Sequence, residues 1–235
     1  MTLDILFENT DFLIINKPSG MVVHPFDHST EVTLLDHLVA HTQQLSTTKN
    51  TKLLQDGRTV SLGGIVHKLD RDTSGVMVVA KNDMTYDELI EQFRNHTVTK
   101  TYKALVEGKV HNEPFIIDAP LGRNKKAYKQ VVNPHNLRGE LRDAVTSVRV
   151  VSYDSVHDTS LLELTPRTGR THQLRAHMAY IGHPIVGDIS YGSIQKSSRI
   201  MLHAEMLSFT LHEERYTFKA SLPDYFIDFT LETMK

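Results

Sequence analysis

The sequence predicts an α+β fold built on a central, largely antiparallel or mixed sheet, and three observations carry that expectation. Short strand-like runs outnumber helical ones. Two pairs of these runs are joined by polar segments short enough for hairpins. Strands and helices do not alternate in the regular order that a parallel sheet requires.

Taken in chain order, Phe12–Asn16 is the first strand-like run. Leu34, Leu35, Leu38 and Val39 fall on one face of a helix near residues 32–43. The continuous apolar run Val76–Ala80 predicts a buried strand. Asp83 suits the N-cap of a helix over 84–94 that aligns Leu89, Ile90 and Phe93. Thr99–Val106 is the next strand, and Ser147–Tyr153 with Ser160–Thr165 forms a hairpin around Asp154–Asp158. A third helix over Thr171–Ile181 carries Leu174, Met178 and Ile181 on one stripe, and Gly182 with Pro184 stops it. Leu207–Leu211 and Tyr216–Ala220 form a second hairpin around His212–Arg215. The polar stretches Gln43–Val60 and Arg123–Ala144 read as long loops, which compact domains rarely carry unless they bind something. No composition break marks a linker, so residues 1–235 are expected to form one domain.

Composition narrows the function classes. Without cysteine the chain has no disulfide, thiolate nucleophile or Cys-type zinc site. That suits a reducing cytoplasm, the expected location. Asp4, Glu8 and Asp11 interrupt the first apolar residues, unlike a signal peptide, and no run approaches a membrane span. Net charge is −2, yet residues 94–149 hold eleven Lys/Arg against five Asp/Glu, and 1–60, 61–93 and 205–235 are each −3. A basic middle between acidic ends can present positive charge to phosphate while the whole stays near neutral.

Two segments concentrate the chemistry. Gly63-Gly64-Ile65-Val66-His67-Lys68-Leu69-Asp70-Arg71-Asp72-Thr73-Ser74-Gly75 crowds polar groups beside an apolar strand, which is costly unless they are paired or used. The alternative is a plain turn, since Asp72 to Gly75 are turn formers. Asp72-Thr73-Ser74-Gly75 is not an aspartic protease motif, because its glycine comes one residue late and no second copy supplies a partner carboxylate. Thr168–His177 is the other segment. Its Arg170 lies at or just before a helix start, where it can meet a phosphate or fix a carboxylate bidentately. In Lys100-Thr101-Tyr102, strand alternation puts Lys100 and Tyr102 on one face, an aromatic beside a cation that could stack a nucleobase. His37 and His41 have helical metal spacing but no accompanying carboxylate motif, and no phosphate loop, dinucleotide fingerprint or nucleophile elbow is present.

Together these motifs resemble the RluA family of pseudouridine synthases. The likeness runs from about residue 5 to 222, with its parts in the family's order. These are Ile15-Asn16-Lys17-Pro18-Ser19-Gly20 with Val22-Val23-His24-Pro25; His67-Lys68-Leu69-Asp70 with Thr73-Ser74-Gly75; Lys100-Thr101-Tyr102; and Thr168–His177 with Gly182-His183-Pro184 and Gly187-Asp188. The resemblance implies the pseudouridine synthase fold, a bent, mostly antiparallel sheet flanked by helices and loops around an RNA-binding cleft. It implies that Asp70 is the catalytic aspartate, Tyr102 the active-site tyrosine, and Arg170 the arginine that pairs with the aspartate. His67, Lys68, Arg71, Thr73, Lys100 and Leu174 are the expected substrate contacts, and Lys17 with Pro18–Gly20 is an architectural motif.

The implied partner is structured RNA, ribosomal or transfer, with no cofactor, no metal and no membrane; a monomer is the default expectation. Two departures stand out. Lys68 replaces the family's usual arginine, keeping the charge without the planar face for stacking. The small N-terminal RNA-binding module of many relatives is expected to be absent, because the match starts almost at Met1. Rival readings are a non-catalytic RNA-binding module, an Asp-dependent N-glycosidase, and a metal hydrolase built on the histidines. Glu140 and Asp143 are expected to lie outside the pocket.

Overall fold

The computed structural model describes residues 3–26, 29–43, 45, 50–124, 129–132 and 137–226. Its contacts divide the chain into two compact units: Met1–Thr99 with Met206–Ala220, and Lys100–Glu205 with Ser221–Lys235. The architecture is α+β, as expected. Among the described residues no helix is long and apolar enough to cross a membrane.

The first unit is built on β1 (Ile5–Glu8), β2 (Phe12–Lys17), β5 (Ser74–Ala80), the 206–211 portion of β13 (Leu202–Leu211) and β14 (Glu214–Lys219). The strands lie in the order β1-β2-β5-β13, with β14 paired to β13. Strand β2 meets β5 in antiparallel register from Phe12↔Ala80 to Lys17↔Gly75. Phe12 to Ile15 and all of β5 are buried, so this centre reads as continuous apolar sequence rather than alternation. Helix α1 (Leu34–His41) begins where Asp36 accepts from the Thr33 backbone N–H and hydroxyl, both at 2.7 Å. Helix α2 (Asp83–Arg94) is capped by Asn82, whose side chain accepts from Thr85 N at 2.9 Å. The cap is therefore one residue earlier than the Asp83 expected from the sequence.

Two further sequence expectations are corrected in this unit. The stretch 43–60 is not one loop: β3 (Thr51–Leu53) and β4 (Thr59–Ser61) pair antiparallel within and just beyond it. The hairpin turn between β13 and β14 is shorter than expected, with only His212 and Glu213 between paired Leu211 and Glu214. Both turn residues are left-handed, at φ 51° and 67°, as a two-residue turn between twisted strands requires.

The second unit carries β6 (Thr99–Glu107), β7 (Phe115–Asp118), β11 (Val145–Asp154) and β12 (Thr159–Pro166), ordered β6-β12-β11-β7. The β11–β12 hairpin appears where the sequence places it. Strand β12 alternates, burying Leu162, Leu164 and Pro166. Complete burial of a leucine such as Leu162 contributes about 2 kcal/mol. Most of the described residues within 123–144, read as a loop, instead belong to a three-stranded antiparallel sheet of β8 (Leu121–Asn124), β9 (Gln130–Val132) and β10 (Leu137–Arg142), in the order β10-β8-β9.

Helix α3 (Gln173–Tyr180) starts two residues later than the expected Thr171, because His172 is left-handed at φ 54°. It ends in a Schellman motif: His183 N donates to Met178 O and Gly182 N to Ala179 O, with Gly182 at φ 85°. Arg175 is buried and grips Asp188 with two bonds of 2.6 and 2.9 Å, its guanidinium 4.9 Å from the Tyr191 ring. The Tyr191 hydroxyl accepts from Gln130 N and lies 3.1 Å from His172 Nδ1, which ties β9 to the start of α3.

Candidate active site

In the first unit the Asp70 segment is shaped by contacts with other parts of the chain, some more than fifty positions away. Gly64 comes first. A Cβ there would sit 1.6 Å from the Ala80 carbonyl oxygen, so only glycine allows residues 64–65 to lie along β5. His67 then stacks on Phe93, with ring centroids 4.5 Å apart, and its Nε2 accepts from Val78 N at 3.1 Å. An accepting Nε2 carries no proton, so this bond selects the tautomer. Lys68 is exposed and Leu69 is buried, which anchors the chain just before Asp70.

The turn after Asp70 is held by its carbonyls. Thr73 N donates to Asp70 O, Gly20 N and Lys17 Nζ both donate to Arg71 O, and Ser19 Oγ donates to Asp72 O at 2.7 Å. Lys17 is fully buried and also donates to Pro18 O and Met21 O, each at 2.9 Å. Burial lowers its pKa to about 8, opposed by the nearby carboxylates of Asp72 and Asp70. The Lys-Pro-Ser-Gly motif thus acts as a bracket on the Asp70 turn, while the Asp70 side chain stays half-buried. Thr73 is 3% exposed and lies beneath the turn. Arg71 is exposed and forms a two-pronged pair with Glu31, both bonds 2.8 Å.

The second unit holds the other expected groups. Tyr102 sits on β6 opposite Leu164, half-buried against the apolar cluster that contains Leu174, itself 6% exposed. Lys100 lies two residues earlier on the same strand, with Nζ 3.5 Å from Thr168 O. Burial lowers its pKa.

Arg170 precedes α3 in a loop organised by Gln173, which the sequence presents only as one member of a polar cluster. Gln173 Oε1 accepts from Thr168 Oγ1 and Arg170 N, and its Nε2 donates to Val145 O and Thr146 Oγ1. One buried amide therefore holds both sides of the loop. His177 continues the network: Nε2 reaches Ala119 O at 3.0 Å and Nδ1 reaches Thr146 Oγ1 at 2.9 Å. A carbonyl only accepts, so Nε2 bears the proton and Nδ1 receives the threonine hydroxyl. Burial lowers the His177 pKa, which keeps that ring neutral.

Arg170 Nε donates to Asp143 O at 3.0 Å. Next to it opens a concavity of about 330 Å³ lined by Arg123, Gln130, Glu140, Arg142 and Arg170. Glu140 therefore lies beside Arg170, against the expectation that it stands apart, and Asp143 supports Arg170 through its backbone. Among the described residues no group of three or more histidines and carboxylates could hold a metal ion. His41 pairs with Glu8 at 2.9 Å instead.

Residues 11–180 match the family model described as RNA pseudouridylate synthase. A Bacillus subtilis relative named as an uncharacterized RNA pseudouridine synthase, YlyB, is 40% identical over 95% of this chain and 70% of its own length. A Vibrio cholerae ribosomal large subunit pseudouridine synthase D is 34% identical over 98% of this chain and 71% of its own. The Zymomonas mobilis protein of that name is 38% identical, and the match covers 86% of this chain and 60% of that relative. Among solved structures, human RNA pseudouridylate synthase domain containing 1 superposes with a TM-score of 0.75 at 27% identity, over 94% of this chain and 83% of that one.

Proposed function

Because the chain belongs to the RNA pseudouridylate synthase family, whose members are isomerases, we propose that it converts chosen uridines of structured RNA to pseudouridine, with Asp70 at the ribose. The observation that carries this reading is the bracket on the Asp70 turn. Lys17, Ser19 and Gly20 hold the carbonyls of Arg71 and Asp72, which fixes the backbone from which the Asp70 carboxylate projects. A carboxylate so fixed can act at one point on a bound nucleotide without first losing its own freedom.

The reaction breaks the N1–C1′ bond and, after the uracil turns, joins C5 to C1′. The C5 proton is lost and N1 gains one, so no atom is supplied from outside. In this reading the Asp70 carboxylate assists departure of the base, by attack at C1′ or by removal of the 2′ proton. Arg170 is assigned the role of counter-charge to that carboxylate, as the resemblance implies. Tyr102 stacks on the base and relays the C5 proton. Leu174 packs against the base, while His67, Lys68, Arg71 and Lys100 belong to the RNA-contacting surface; Thr73, expected among them, is 3% exposed and supports the turn instead. The target uridine must leave its stack, at a cost of a few kcal/mol. Ribosomal RNA is the favoured substrate, because several relatives bear names that specify the large ribosomal subunit.

The test is Asp70→Asn, which keeps the shape of the side chain and removes its charge. On an unmodified transcript of large-subunit ribosomal RNA, the variant is expected to form no pseudouridine while binding RNA within about threefold of the parent. Retained turnover by the purified variant overturns the role of Asp70.

A further inference from the structure

The face of the β8–β10 sheet beside Arg170 has a composition that packing does not account for. Cross-strand register pairs Arg123 with Gln130 and Leu121 with Arg142. Leu121 and Arg123 are two residues apart on β8, so all four share one face of this sheet. Leu121 is buried there, whereas Arg123 is half-buried and Arg142 exposed. The register is interrupted between Arg138 and Arg142, where Gly139 takes a φ of 83°. Facing these side chains is the loop that carries Arg170, held by Gln173 and by the bond from Arg170 to Asp143 O.

Among the described residues, the guanidiniums of Arg123, Arg142 and Arg170 line one concavity of about 330 Å³ together with the carboxylate of Glu140. Like charges brought together repel, and an anion between them relieves that repulsion. Guanidinium forks match the oxygens of a phosphate. We infer that Arg123 and Arg142 form a seat for an RNA backbone phosphate next to Arg170, and that Glu140 tempers its affinity. This rests on the RNA-acting function proposed above and adds to it a specific anchoring point. The seat binds backbone and not base, so it strengthens attachment without selecting sequence.

The experiment measures affinity for the same ribosomal transcript as a function of salt, for the parent, Arg123→Gln, Arg142→Gln and Glu140→Gln. Each arginine variant is expected to bind about tenfold more weakly, with the slope of log affinity against log salt reduced by about 0.7–0.9. Glu140→Gln is expected to bind several-fold more tightly. In turnover, Arg142→Gln raises KM and leaves kcat near the parent value, as loss of an anchoring contact should. Parent-like affinity and slope in both arginine variants overturn the seat and leave the proposed function standing, provided the parent still makes pseudouridine. A parent that neither binds nor modifies the transcript overturns both. Inorganic phosphate at constant ionic strength separates the two sources of such an anion. If Arg142→Gln loses phosphate binding but keeps full RNA affinity, the site serves a free anion and the proposal fails.

Discussion

Lys17 shows how one side chain can govern a distant turn. Its ammonium has three N–H donors and meets three carbonyls, Pro18 O, Met21 O and Arg71 O. Lys17→Met keeps the length and deletes the donors, leaving Pro18 O and Met21 O without this bond. A loss of about 2 kcal/mol in stability is expected, read by urea unfolding, together with a fall in turnover. An equally stable and active methionine variant would mean that the bracket is dispensable. The same residue predicts a pH effect. Its folded pKa is about 8, below the ordinary lysine value of 10.5. Between these values the unfolded chain keeps a proton that the folded chain gives up, so this residue's contribution to stability rises with pH across that window. The neutral amine, however, has two hydrogens for three acceptors. Turnover is therefore expected to fall above about pH 8 while the protein remains folded. A flat rate profile up to about pH 10 would contradict this.

At the scale of elements, the β13–β14 turn offers a clean test, because both of its residues occupy a left-handed conformation. Glu213→Gly removes the Cβ penalty at φ 67° and is expected to stabilise the protein by about 1 kcal/mol without changing turnover. A lower melting temperature would show that Glu213 makes a contact worth more than that strain. The β11–β12 and β13–β14 hairpins and helices α1, α2 and α3 were legible because their apolar residues recur at strand or helix period. The strands within 43–60 and 123–144 were not. Thr51–Leu53, Thr59–Ser61 and Leu121–Asn124 are three or four residues long, too short to show a strand period, and the first and last carry lysine, glycine or arginine. Pairing sustains them more than core burial does, and pairing partners cannot be read from local pattern. Motif order makes Asp70, Tyr102 and Arg170 candidates, whereas the hold of Gln173 on the Arg170 loop is not readable from it. Its acceptors Val145 O and Thr146 Oγ1 lie 28 and 27 residues away.

For the whole molecule, net charge is a poor guide to its partner. The chain is −2 overall, with a pI near 6.7, yet +6 over residues 94–149. The structure shows that this count overstates the available positive charge. Lys103 and Arg149 are both engaged by Glu163, and Lys103 also lies 3.5 Å from Glu205. RNA affinity is therefore expected to depend on salt with a moderate slope, about −2 to −4, rather than the steeper value that eleven cations would suggest. Filter binding across a salt series measures it directly. A slope near zero would remove phosphate contacts from the account altogether.

The hold of residues 17–20 on the carbonyls of Arg71 and Asp72 also limits what can be transplanted. A peptide cut from around Asp70 would lose the anchors that give it shape, so grafting it onto another scaffold should yield only a floppy segment. The smallest portable piece is the β2–β5 pair together with the turns that follow one strand and precede the other. Anyone engineering this chemistry elsewhere would have to move both stretches of chain, although more than fifty residues separate them.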